Sequence, residues 1–123
     1  MKVLVDTSVW IDFFRGSDTM LDRLIEEDLV VTNEVILTEL IPSLRMHNQG
    51  ELIDSLTALE SIELSIDWDL IREMQLINLR NGINKIGIPD LMIAQQCIEN
   101  HLTLYSFDKH FSLMLDYFEF QMI

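Results

Sequence analysis

Residues 2–10 read KVLVDTSVW, and this stretch decides the fold. Val3, Leu4 and Val5 form a short apolar run that ends directly in Asp6. A short apolar run bounded by polar residues is typical of a fully buried strand in a parallel sheet. Because ligands collect beyond the carboxyl ends of the strands in open α/β sheets, we expect Asp6 to lie at the mouth of a ligand-binding crevice.

The rest of the chain alternates short apolar runs with segments of helical periodicity. This alternation predicts an α/β fold in which helices cover both faces of a central parallel sheet of four to five strands. The length of 123 residues predicts a single domain, residues 1–123. The further predicted strands are 29–32, 62–64, 102–106 and 117–121. We expect Pro42 to kink or shorten the helix that begins at Glu34, and Asp90 to open the helix that follows Pro89.

The composition is strongly acidic. Asp and Glu number 21 against 8 Lys and Arg, which gives a net charge of -13. Such a surface repels phosphate backbones, so the charge alone disfavours a nucleic-acid partner and favours a cationic partner, a bound metal or simple solubility. Cys97 is the only cysteine, which excludes an intramolecular disulfide and a thiolate metal cage. The lack of a secretory signal and of any long apolar run predicts a cytoplasmic protein without membrane contact.

Four acids fall where predicted strands end or where helices lie next to those ends: Asp6, Glu39, Asp90 and Asp108. Each has a simple structural explanation, because the three aspartates suit helix N-caps and Glu39 suits a solvated helix surface. If they converge, each pair about 5 Å apart repels by roughly 3 kcal/mol at an effective dielectric of 20. Such a cluster must take up protons or hold a cation. Oxygen ligands without a cysteine or a histidine pair suit Mg²⁺ or Mn²⁺, which promote phosphoryl chemistry.

Four motifs carry a family resemblance: DTSVWIDFFRG at 6–16, TELI at 38–41, GIPDLMIAQQCIENH at 87–101 and LYSFDKHF at 104–111. In this order and spacing they resemble PIN-domain ribonucleases, and most closely the VapC toxins of bacterial and archaeal toxin–antitoxin pairs. The resemblance extends from residue 2 to about residue 111. It implies an α/β/α sandwich and a Mg²⁺- or Mn²⁺-dependent endoribonuclease that hydrolyses RNA phosphodiester bonds with metal-activated water. Its catalytic and metal-binding residues are then Asp6, Glu39, Asp90 and Asp108.

The resemblance also assigns supporting positions to two serines. Ser8 occupies the small polar position after the first acid, and Ser106 stands where the family often has threonine. We expect either to hold a metal-bound water or to orient a carboxylate, while both also suit helix or turn caps. One departure is His110, because a frequent version of the final motif has a second acid there. Asp108 is therefore either a direct ligand or only an electrostatic member of the site.

The implied partners are RNA as substrate, a cognate antitoxin with a basic C-terminal segment, and a second copy of the chain in a homodimer. A basic antitoxin meeting an acidic toxin gains electrostatic steering, and an amphipathic helix bound in a groove is the expected mode. Groove candidates lie on the first two helices, although ordinary core packing is the favoured explanation for them: Trp10, Phe13, Phe14, Met20 and Leu24.

Two other classes of function stay open at this point. An aspartyl-phosphate phosphatase or a receiver domain also has an aspartate after a strand of a parallel sheet, although Ser8 stands where the phosphatase pattern has a second aspartate. A non-catalytic PIN-like binding module would keep the fold without the chemistry.

Overall fold

The computed structural model describes residues 1–16 and 19–123, which form an α/β fold around a five-stranded sheet. The strands are β1 (Val3–Val5), β2 (Val30–Thr32), β3 (Glu60–Ser61), β4 (Thr103–Tyr105) and β5 (Gln121–Met122). The helices within the described residues are α1 (Thr7–Phe14), α2 (Thr19–Glu26), α3 (Glu34–Met46), α4 (Gly50–Thr57), α5 (Trp68–Arg80), α6 (Ile88–Asn100) and α7 (Lys109–Met114).

The sheet is parallel throughout, in the order β3-β2-β1-β4-β5. The chain moves outward from β1 through β2 to β3 and then crosses to β4 on the other side of β1. Because such crossovers are right-handed, α1 to α4 cover one face and α5 to α7 cover the other. The predicted three-layer α/β/α arrangement with a parallel sheet of four to five strands is confirmed. The switch point lies between β1 and β4, whose carboxyl ends open a crevice.

The core is built on the three central strands. All residues of β1, β2 and β4 are buried, which is why their sequences are nearly continuous apolar runs. Both predicted inner strands, 29–32 and 102–106, agree with β2 and β4 to within one residue at each end. Within residues 1–16 and 19–123, every helix is too short or too polar to cross a membrane.

The strand predicted at 62–64 is wrong, because β3 comes earlier, at Glu60–Ser61. Ile62 still donates its N–H to the Thr32 carbonyl, at 2.8 Å, but there the sheet pairing ends. Side-chain amides then replace a neighbouring strand. Gln96 donates to the carbonyls of Ile62 and Glu63 at 3.0 and 3.3 Å. Gln95 donates to the carbonyl of Ser65 at 3.0 Å.

Two other sequence expectations need correction. Pro42 does not shorten α3, which continues to Met46 because buried Leu40 and the core-packed Leu44 hold the helix on either side of it. The last strand lies at Gln121–Met122 rather than at 117–121. The N–H groups of Tyr117 and Phe118 both donate to the carbonyl of Met114, at 3.0 Å. They close a turn after α7 and are therefore not available to the sheet.

Candidate active site

Asp6 lies at the switch point, directly after β1, and only 7% of it is exposed. It stands at the N-cap position of α1, yet its side chain makes no capping hydrogen bond. Instead Oδ2 accepts hydrogen bonds from Ser8 Oγ at 2.9 Å and Ser106 Oγ at 2.8 Å. Its backbone N–H donates to the carbonyl of Tyr105 at 2.9 Å. The geometry therefore rules out the helix-cap explanation for Asp6 and ties its carboxylate to both central strands.

Ser8 and Ser106, the serine pair, also fix the loop that follows β4. Ser8 Oγ accepts from the N–H of Phe107 at 3.0 Å, and Ser106 Oγ accepts from the N–H of Asp108 at 3.0 Å. Each hydroxyl thus donates to the Asp6 carboxylate and accepts from a loop amide. The two hydroxyl oxygens lie 3.5 Å apart. The position of Asp108 relative to Asp6 is consequently set by two short hydrogen-bonded bridges.

Glu39 reaches the crevice from α3. The residue as a whole is exposed, but partial burial of its carboxyl raises the pKa, and the charges of Asp6 and Asp90 raise it further. Thr7, the first residue of α1, donates to Oε1 at 3.1 Å and acts on the pKa in the opposite direction. Thr7 was missed by the sequence interpretation, although its position directly after Asp6 places it at the same end of β1.

Asp90 lies at the third position of α6, which begins at Ile88 and not at Asp90 as predicted. Pro89 fits in the first turn because the N–H groups there have no partner within the helix. The N–H of Gly87 donates to Asp90 Oδ2 at 3.4 Å. Burial is the main cause that raises the pKa of Asp90, and the charges of Asp108 and Asp6 add to it, whereas Gly87 and His110 lower it.

Asp108 has a structural role as well as a place in the crevice. It is the N-cap of α7, and its Oδ1 accepts from the N–H of His110 at 2.9 Å. The same oxygen lies 2.9 Å from His110 Nδ1. The helix-cap explanation is therefore correct for Asp108, and one of its oxygens already has two partners. His110, which replaces an acid of the family motif, is bound directly to Asp108.

These four carboxylates, the acid cluster, act on one another electrostatically: Asp6 and Asp90 raise the pKa of Glu39, and Asp6 and Asp108 raise the pKa of Asp90. Within residues 1–16 and 19–123, however, no three His, Cys, Asp or Glu side chains lie close enough to hold a metal ion as they stand. The donor set itself fits a hard divalent cation, because it consists of carboxylate oxygens that repel one another. The structure thus brings the four predicted acids to one crevice, without forming a closed metal cage.

The sequence interpretation missed the side-chain contact that fixes the position of the acid cluster. Asn33 is fully buried, caps α3 through a hydrogen bond from Ile36 N at 2.9 Å, and donates to Gln96 Oε1 at 2.7 Å. This contact joins α3, which carries Glu39, to α6, which carries Asp90. The available signal was the pair Gln95–Gln96 within an otherwise apolar helix segment, since buried glutamines need specific partners.

The parallel sheet with carboxylates near its switch point places this protein among the open α/β domains, in which ligands are expected beyond the carboxyl ends of the strands. Within that class, the family model of the PIN domain matches residues 3–114, so the chain belongs to the PIN domain family. Membership in this family separates it from the aspartyl-phosphate phosphatases and receiver domains. No curated protein sequence matches the chain.

Solved structures share this fold. The DNA-bound VapBC complex of Salmonella typhimurium matches with a TM-score of 0.79 at 16% identity, over 100% of this chain and 97% of that chain. VapBC2 of Rickettsia felis, bound to a promoter DNA fragment, matches with a TM-score of 0.78 at 20% identity, over 100% and 98% of the two chains. VapC20 of Mycobacterium tuberculosis, a toxin that cleaves the sarcin–ricin loop, matches with a TM-score of 0.62 at 18% identity, over 91% and 94%.

Proposed function

We propose that this PIN domain is a Mg²⁺- or Mn²⁺-dependent endoribonuclease and the toxin of a toxin–antitoxin pair. The observation that carries the proposal is the acid cluster at the switch point. There the pKa values of Glu39 and Asp90 are raised in part by the charges of other members of the cluster. Its fold neighbours support the same function, because they include VapBC complexes and a toxin that cleaves the sarcin–ricin loop.

In this proposal Asp6, Glu39 and Asp90 would hold the divalent ion, and Asp108 would complete the negative pocket. When bound, such an ion would supply Lewis acidity and would make water a stronger nucleophile at neutral pH. The serine pair holds Asp6 Oδ2, and none of the described residues donates a hydrogen bond to Oδ1. Asp6 therefore offers one oxygen in a fixed orientation, which is the usual effect of partners behind a metal ligand.

The reaction is hydrolysis. Water adds its oxygen to phosphorus, the bond from phosphorus to the 3′ oxygen breaks, and that oxygen takes up a proton. The products are a 5′-phosphate end and a 3′-hydroxyl end.

The test is cleavage of single-stranded and loop-containing RNA in Mg²⁺ or Mn²⁺, followed by mapping of the ends. Asp6→Asn and Asp90→Asn should each lower the rate by about 100-fold or more, since several kcal/mol of charge stabilisation is removed. Asp54→Asn, an exposed acid on α4, is the matched control and should cleave like the wild type. Equal cleavage rates in the wild type and the site variants, or no cleavage by the wild type, would contradict the nuclease proposal and favour a non-catalytic binding module.

We further propose that the antitoxin's basic C-terminal segment binds as an amphipathic helix in a groove between α1, α3 and α4. This groove measures about 540 Å³ and includes Ile11, Phe14 and Leu44 in its lining, with Glu39 at the same surface. A cationic side chain of the antitoxin can therefore pair with Glu39 while apolar side chains fill the groove. Two of the predicted groove residues, Trp10 and Leu24, are buried in the core, so for them the core-packing explanation is correct.

The antitoxin test first searches for a short reading frame directly upstream of this gene that encodes a small protein with a basic C-terminal segment, and then co-expresses its product with the chain. Ile11→Glu places a charge in the groove and should abolish co-purification without slowing RNA cleavage. Ile25→Glu on α2 is the control, because Ile25 is exposed to a similar degree and is absent from the groove lining. The homodimer implied by the resemblance stays a prediction, which sedimentation of the purified chain will test.

A further inference from the structure

Phe107 is a large apolar side chain that the core does not use. It is 53% exposed, and it lies between Ser106, which binds Asp6, and Asp108 of the acid cluster. Core packing does not explain an aromatic side chain at this exposure, since burial is what makes such residues stabilise a fold. Its place at the mouth of the crevice makes it a candidate contact for whatever binds there.

The loop holds Phe107 in a fixed position. Its N–H donates to Ser8 Oγ at 3.0 Å, and the same hydroxyl donates to Asp6. Its ring meets the ring of Tyr105 nearly at a right angle, 87°, with centroids 5.5 Å apart. Tyr105 is only 7% exposed and belongs to β4, so it is a firm support. The backbone and one side of the Phe107 ring are therefore held by the protein, while the rest of the ring is exposed to solvent.

We propose that Phe107 is a stacking platform for a nucleobase of the RNA substrate, next to the phosphodiester that water would cleave at the acid cluster. This inference rests on the proposed nuclease function. Charge is the reason to favour base contact over backbone contact: a chain of net charge -13 gives phosphates little attraction. Aromatic stacking needs no positive charge, and it accepts any base because every base has a π-face.

The first experiment measures binding of a fluorescein-labelled single-stranded 12-nucleotide RNA, with Asp90→Asn in every protein to prevent cleavage during titration. Adding Phe107→Ala should weaken binding by about 5-fold to 100-fold, the range for loss of one base–aromatic stack. Phe107→Leu should weaken it similarly, since it keeps the apolar character without the ring, and Phe107→Trp should retain it. Tyr117→Ala removes another exposed aromatic and should bind like the parent protein.

The second experiment measures cleavage kinetics of the same substitutions with Asp90 intact. Phe107→Ala should raise KM while kcat stays within a few-fold, because the platform binds RNA but does not touch the reacting atoms. Circular dichroism and sedimentation are recorded for each variant. A Phe107→Ala protein that changes its association state but keeps the affinity and KM of the wild type would overturn the proposal in favour of a contact between copies.

The outcomes separate this inference from the nuclease proposal. Cleavage by the wild type together with unchanged affinity and KM in Phe107→Ala overturns the stacking platform alone. Equal loss of binding in Phe107→Trp and Phe107→Ala also overturns it, because stacking would survive the larger ring. No cleavage and no RNA binding by the wild type overturn both.

Discussion

The acid cluster and the amide seam (Asn33, Gln95 and Gln96) are two polar regions of the same sheet edge, and they satisfy their polar groups in opposite ways. In the seam, side-chain amides are buried and bind backbone carbonyls or one another. In the acid cluster, the charges of neighbouring carboxylates raise the pKa of Glu39 and of Asp90. Paired buried polar groups hold a fold together, whereas unpaired charges at a crevice cost stability until a ligand binds. The seam is structural, and under the proposed function the acid cluster is the region that binds a ligand.

The two regions are mechanically connected. Asn33 begins α3 and Gln96 lies in α6, so their 2.7 Å hydrogen bond fixes the helices that carry Glu39 and Asp90. The seam therefore holds repelling carboxylates near one another. If this division of roles is correct, substitutions in the seam lower stability, and neutralising Glu39 or Asp90 raises it in the absence of metal.

The largest effect on stability is expected from Gln96→Leu. This change keeps the size of the side chain but leaves Asn33 Nδ2 and two backbone carbonyls without their partner. The buried Asn33 amide left without a partner costs roughly 1–3 kcal/mol, and the two part-buried carbonyls add to that cost, so we expect a loss of about 2–4 kcal/mol in the free energy of unfolding. Urea denaturation followed by circular dichroism measures it.

The matched control for that prediction is Gln121→Leu, because Gln121 is an exposed residue of the edge strand β5. It should change the free energy of unfolding by no more than about 0.5 kcal/mol. A Gln96→Leu protein as stable as this control would contradict the structural role of the seam.

A smaller effect is expected from Ser106→Ala, which tests the link between the strands and the acid cluster. The Ser106 hydroxyl donates to Asp6 and accepts from the N–H of Asp108, so its loss frees both groups. We expect metal affinity or cleavage rate to fall by about 10-fold to 100-fold, as for other partners that orient metal ligands. Isothermal titration calorimetry with Mn²⁺ measures the metal affinity, and the RNA cleavage assay measures the rate. Ser106→Thr should restore function, and Ser112→Ala, an exposed serine on α7, should have no effect.

The contrast between the two regions also explains what the sequence could predict. Asp6, Asp90 and Asp108 follow from local signals, since each stands next to a strand end or a helix start. The seam does not, because Gln96 finds Asn33 across 63 positions of sequence and only the folded chain shows that pairing. The strand predicted at 62–64 was wrong for the same reason, because Gln96 in α6 binds the carbonyls of Ile62 and Glu63. Pro42 was misjudged for a related reason, since packing of α3 on the core outweighs a local helix breaker.

The smallest effect is expected from neutralising the acid cluster, and its sign is opposite to that of the seam. The pKa of Glu39 is raised from its usual 4.5 and that of Asp90 from its usual 3.8. The folded chain therefore binds these two protons more readily than the unfolded chain does. Their contribution to stability is fully present below those usual values and is lost as the pH rises through the raised pKa values. In metal-free buffer at pH 7, Glu39→Gln and Asp90→Asn should each stabilise the protein, by roughly 0.5 kcal/mol once solvent screening is taken into account.

The pH dependence makes this prediction specific to the acid cluster. As the pH falls from 7 towards 4.5, the wild type takes up the same protons that the substitutions mimic. The difference in Tm between the wild type and the Glu39→Gln/Asp90→Asn double variant, measured in a chelator, should therefore shrink steadily. Glu73→Gln on the exposed face of α5 supplies the control for loss of a surface carboxylate outside the acid cluster. A double variant less stable than the wild type at pH 7 would mean that these carboxylates stabilise the fold, and the contrast with the seam would fail.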